Sequence, residues 1–149
     1  MSGEQVASYN RWMHTTDTPP STPRFAAAAS FLEALAAGDF DRLGEALDDD
    51  ASMAALLPRG LREWQGADAI TGMFTQWFGD VDEFEVADAS VGQVGARLQL
   101  RWRLRLRGAR LGPDPMIVEQ HVYATTTDSG RIQSMSLLCS GFCKEHGDV

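Results

Sequence analysis

Apolar residues recur along this chain with two periods, and the change from one to the other falls near Gly79. Before that glycine the spacing is helical. Thr22-Pro23 offers an N-cap followed by a proline suited to the first turn, and Phe25, Ala28, Ala29, Phe31, Leu32 and Leu35 then form one broad apolar face. Gly38 ends that helix. Asp39 is placed to cap a second one, in which Phe40, Leu43 and Leu47 recur, and the run Asp48-Asp49-Asp50 opposes the helix dipole and marks its stop. Ala51 to Leu57 predicts a short strand and Pro58-Arg59-Gly60 a turn. Gly66 opens the clearest helix, with Ile70, Met73, Phe74, Trp77 and Phe78 at i, i+3, i+4, i+7 and i+8. Each of these is worth ~1.5–3 kcal/mol on full burial, enough to anchor one side of a core.

Beyond Gly79 the period drops to two. Phe84 and Val86 alternate with Glu85 and Ala87. Leu98, Leu100, Trp102, Leu104 and Leu106 then alternate with Gln99, Arg101, Arg103, Arg105 and Arg107, the pattern of a half-buried strand. Gly112-Pro113-Asp114-Pro115 predicts a turn, Met116 to Thr125 a strand, Asp128-Ser129-Gly130 a turn, and Arg131 to Cys139 the last long strand. Helices early and hairpin-linked strands late predict an α+β fold: a curved antiparallel sheet folded around the small group of N-terminal helices. Residues 1–24, with three prolines and no apolar period, read as a tail. The domain runs from 25 to 142, and 143–149 reads as a C-terminal tail.

Composition narrows the possibilities. A chain of 149 residues, 44% hydrophobic, is long enough for one core without metal or disulfide staples. No apolar run approaches the ~18 residues of a membrane span, and the N-terminus lacks a basic-then-apolar leader. Only Cys139 and Cys143 are present, which fits reduced thiols in a cytoplasmic protein. The net charge of −8 hides an asymmetry. Residues 97–110 carry six arginines and no acid, leaving seven basic and twenty-one acidic residues elsewhere, or −14. An acidic body repels nucleic acid and anionic membranes, so neither is an expected partner. The arginine stripe instead predicts a homodimer interface, with a solvated sheet edge as the other reading.

Particular stretches resemble the nuclear transport factor 2-like superfamily, which includes ketosteroid isomerases and SnoaL-like polyketide cyclases. They are Phe31-Leu32-Glu33-Ala34-Leu35-Ala36-Ala37-Gly38-Asp39-Phe40-Asp41, Leu47 to Met53, Trp64-Gln65-Gly66-Ala67-Asp68-Ala69-Ile70 and Asp128-Ser129-Gly130-Arg131-Ile132. The resemblance spans residues 25–142 and implies a cone with an apolar pocket faced by Met135, Leu137 and Cys139. It also implies where acids would stand. The isomerase base falls at Ala55, its tyrosine donor at Phe31 and its acid donor at His121 or Val122. A dehydratase aspartate falls at Ala34 or Leu35.

With those acids replaced, the remaining proton-transfer candidates are Glu119, His121 and Tyr123, which share one face of the strand from Met116. On the pocket side, His121 would act as general acid or base, Glu119 would orient it and Tyr123 would bind an oxyanion. On the outer side, Glu119 and His121 would pair with the arginines, and Val118 and Val122 would fill the cone. Trp64, Phe74, Trp77 and Trp102, with Met135, Leu137 and Cys139, are the expected substrate contacts, although aromatics at such spacing also make plain core. No histidine has a metal-ligand spacing, so neither metal nor organic cofactor is expected. The functional expectation is acid/base chemistry by an isomerase, cyclase, dehydratase or lyase on a small hydrophobic molecule. The alternative is a non-catalytic binding or dimerisation module.

Overall fold

The computed structural model describes residues 22–145. Most of the expected N-terminal tail, including His14, and the end of the C-terminal one, including His146, lie outside the described residues. Helix α1 (Thr22–Ala36) begins inside the stretch expected to be tail. It leads through the left-handed Gly38 into a 3-10 helix (Phe40–Ala46), where an α-helix was expected. Asp39 makes no side-chain cap there.

The first strand, β1 (Leu47–Leu57), starts four residues earlier than the sequence predicts, and Asp48, Asp49 and Asp50 belong to it rather than to a helix end. The cause is long-range pairing. Leu47 is fully buried and sits opposite Ile132 of a distant strand, so the chain is drawn into the sheet at once. The carboxylates occupy the irregular stretch between that pair and the next, Ser52 with Ser134. Strand β2 (Gly60–Gln65) returns from the turn at Pro58-Arg59, and α2 (Ala67–Phe78) follows. The long strands are β3 (Glu83–Val94), β4 (Arg97–Arg107), β5 (Met116–Thr126) and β6 (Ile132–Cys139). A two-residue β7 (Cys143–Lys144) pairs with β5, within the segment expected to be a tail.

The strands form one curved, unclosed sheet in the order β2-β1-β6-β5-β4-β3. Every pairing is antiparallel except β1 with β6, which is parallel. This is the expected α+β cone. Ile70, Phe74 and Phe78 of α2 are buried against the concave side, while Trp77 is half-buried. Among the described residues, no helix is long and apolar enough to cross a membrane.

Alternation along β4 works as expected. Leu98, Leu100, Trp102, Leu104 and Leu106 are buried to 1% exposure or less, and the arginines between them face outward. The centre of the cone is filled by side chains. Phe31 packs against Trp102 at 5.5 Å between ring centroids and against Phe74 edge-on at 5.8 Å. Ala55, Phe31, Ala34 and Leu35, where the resemblance placed the isomerase base, the tyrosine donor and the dehydratase aspartate, all lie buried in this apolar interior.

One polar side chain is fully buried with them. Gln120 lies directly opposite Trp102 on β5, and its Oε1 accepts the indole N–H at 2.8 Å. A buried donor left without an acceptor costs roughly 1–3 kcal/mol. Gln120→Leu should therefore lower stability by about that amount, read as a fall in urea midpoint at unchanged slope. An unchanged midpoint would show that the indole needs no acceptor.

Candidate functional site

Strand register decides which face of β5 looks into the cone. Trp102 opposes Gln120 and Leu100 opposes Val122, so Val118, Gln120 and Val122 share the buried face of β4's leucines. Glu119, His121 and Tyr123 consequently point outward, opposite Arg103, Arg101 and Gln99. The expectation that this trio lines the pocket is corrected here, and the alternative pairing is the one observed. At the position the resemblance left open, it is Val122 that faces inward.

Outside, these residues form an ion network. Arg103 Nε donates to Glu119 Oε1 at 2.7 Å and Arg101 Nη1 to Oε2 at 3.3 Å, while Nε2 of His121 lies 3.0 Å from Oε2. Arg101 also pairs with Asp88 on β3. Burial works to raise the Glu119 carboxyl, but hydrogen bonds from Arg103 and His121 and the charges of Arg103 and Arg101 outweigh it and hold it below its usual value. For Arg101, burial disfavours the charge, and Asp88 and Glu119 more than restore it. Arg105 pairs with Glu145, Arg107 with Glu83 and Arg110 with Asp80. The stripe is thus largely neutralised within the chain, which removes the charge argument for a dimer.

One cavity, of about 420 Å³, lies at the mouth of the cone, beyond the aromatic plug. Its walls are Leu57, Pro58 and Gly60 of the β1–β2 hairpin, Trp77 and Phe78 of α2, Val118 and Cys139 of the sheet, and Gly141 and Phe142 after β6. Arg59 and Arg62 complete it. That size and apolar lining fit a small organic ligand. Arg110 braces one wall: its Nη2 donates to the Trp77 carbonyl at 2.6 Å, and its guanidinium lies 5.5 Å from the Phe142 ring centroid. Gly141 holds a φ of +79°, and an added Cβ there would come within 2.6 Å of Pro58 Cγ. The closing loop can lie against the hairpin only with glycine at this position.

Of the expected substrate contacts, Trp77 and Cys139 line the cavity. Phe74, Trp102, Met135 and Leu137 point to the same side but are buried in the core. Trp64 packs edge-on against Trp77 at 5.9 Å, and with Met135 it lines a separate cavity of about 580 Å³ bordered by Ser52, Glu63 and Ser134. Cys139 Sγ accepts N–H groups from Gln120 Nε2 at 3.2 Å and from Gly141 at 3.4 Å. Trp102, Gln120 and Cys139 are neighbours across β4, β5 and β6, so a hydrogen-bonded row links the plug to the pocket wall. Arg59, Arg62 and Gln120 were not among the candidates. Parity held a clue to Arg62, which shares a strand face with Trp64. No group of three His, Cys, Asp or Glu among the described residues is arranged to hold a metal ion.

The sequence model of the SnoaL-like domain matches residues 28–136, most of the chain. The chain belongs to the SnoaL-like family. No curated protein sequence matches it. Similar solved structures share the nuclear transport factor 2-like fold with this SnoaL-like chain. Bal32a, from a soil-derived mobile gene cassette, aligns at TM-score 0.65 and 18% identity over 80% of this chain and 90% of its own. An LEH-like epoxide hydrolase of M. tuberculosis aligns at 0.58 and 24%, over 82% and 86%. A steroid delta-isomerase of Pseudomonas aeruginosa aligns at 0.57 and 16%, over 81% and 82%. At these identities the likeness is one of fold.

The outer network carries its own test. Because the folded Glu119 carboxyl is depressed, its stabilisation is complete above the unfolded value near ~4.3 and is lost as pH falls through the folded one. Glu119→Gln should cost about 1–3 kcal/mol at neutral pH, and its deficit should shrink on acidification. Stability curves of the two proteins that stay parallel from neutral to acid pH would contradict this assignment.

Proposed function

We propose that this SnoaL-like chain is a cytoplasmic binding module for a small hydrophobic molecule, held at the mouth of the cone. One observation carries the reading. The cavity is walled by Leu57, Trp77, Phe78, Val118 and Phe142, and among the described residues no aspartate, glutamate, histidine or tyrosine lines it. Acid/base turnover needs such a group within hydrogen-bond reach of substrate. Cys139 and Cys143 are free of disulfides, as suits a reducing compartment.

A second reading keeps the catalytic tendency of the family, as an isomerase, cyclase, dehydratase or lyase without cofactor. Cys139 favours it, as a pocket-wall sulfur already engaged by two N–H groups. Calorimetric titration with naphthalene-2-carboxamide, followed by recovery of the compound, separates the two. The binding reading expects saturable uptake of unaltered compound. It also expects affinity to fall about tenfold in Trp77→Ala and in Phe142→Ala, each of which removes an aromatic wall. Compound recovered altered by the native chain, and unaltered by Cys139→Ala, would establish the second reading instead. Absence of uptake would overturn the first.

The homodimer proposal now rests on apolar surface. Leu61, Leu56 and Leu138 are exposed and consecutive across β2, β1 and β6, with His121 next in the row. Light scattering should show a dimer that Leu138→Lys converts to monomer. A monomeric native chain at micromolar concentration would refute it.

A further inference from the structure

Two guanidiniums stand at the pocket, those of Arg59 and Arg62. Arg62 lies opposite Ala55, which is wholly buried, so Arg62 stands on the inward side of β2. Arg59 occupies the turn just before, beside Gly60. Neither has an ion pair or side-chain hydrogen bond among the described residues; Arg42, Arg97 and Arg131 are likewise unpaired, but only Arg59 and Arg62 line this cavity. The chain carries a net −8 and has acids to spare, yet none lines this cavity. Both guanidiniums are reached by solvent beside an apolar wall, and their planar fork matches the two-oxygen geometry of a carboxylate.

We propose that the pocket takes an amphipathic carboxylate: a compact ring or short chain between Trp77, Phe78 and Phe142, with its anionic end on Arg59 and Arg62. The proposal rests on the ligand-binding reading above and adds the charge and class of the ligand. The carboxylate replaces the missing internal partner, and the apolar wall supplies the remaining contact area. The net charge of −8 repels free anions at long range, so binding requires the hydrophobic part as well.

Calorimetric titration of the full chain with naphthalene-2-carboxylate and with its neutral carboxamide tests this. The carboxylate should bind about tenfold tighter at low salt, a gap of about 1.4 kcal/mol, and the gap should close at high salt. In the double variant Arg59→Gln/Arg62→Gln the carboxylate should fall to the level of the amide, with circular dichroism and thermal melting reporting an intact fold. Both side chains are exposed, and the salt series on the native chain is a second, mutation-free measurement. Equal binding of the two compounds by the native chain, or a preference that survives the double variant, overturns the anionic class alone. Failure of both compounds to bind overturns the pocket reading together with it.

Discussion

The indole of Trp102 is gripped on three sides. Phe31 and Phe74 close on its ring, and Gln120 accepts its N–H from the neighbouring strand. Large aromatic groups packed at interior density leave no room for a ligand. The curved sheet therefore encloses packed core around Trp102, and the cavity walled by Trp77 and Phe78 lies where that set ends. Gln120 has a further consequence. Its amide spans from the indole to Cys139, so the rigid centre sets the position of a pocket-wall sulfur.

The sheet divides its chemistry between two surfaces. On the outer one, arginines of β4 meet Asp88 and Glu119 within the chain, and their fields largely cancel. On the inner one, at the mouth, Arg59 and Arg62 remain uncompensated beside apolar walls. The same residue type thus plays opposite parts, decided by whether a carboxylate stands across the ladder. Positive charge that looks like one stripe in the linear sequence is neutral where it is dense. It is available where it is sparse.

Much of the fold was legible in the chain. The change of period at Gly79, the buried face of α2 and the parity of β4 follow from local spacing, since burial of one face repeats with the element's own geometry. The inward side of Met135, Leu137 and Cys139 came from resemblance. The orientation of β5 was not legible, because Gln120 interrupts its apolar face and Ile117 its polar one. Only the register Trp102–Gln120 resolves that ambiguity, and register is a property of two strands. The early start of β1 depends on Ile132 for the same reason. Arg62 escaped notice because a charged residue on a short strand reads as solvent-facing until its partner Ala55 is known to be buried.

The parallel pairing of β1 with β6 shapes the order in which the molecule comes together. Strands β3 to β6 are joined by successive hairpins and can zip locally, but Leu47 must meet Ile132 and Leu56 must meet Leu138 across nearly the whole intervening chain. Loop-closure entropy makes such distant contacts late ones. The β1–β2 hairpin, with Arg59 and Arg62 on it, is held to the rest of the sheet by contacts of this long-range kind, so the cavity wall it supplies depends on closing the largest loop in the fold. A ligand that binds there acts only on the finished sheet, so it secures the seam between the two ends of the chain.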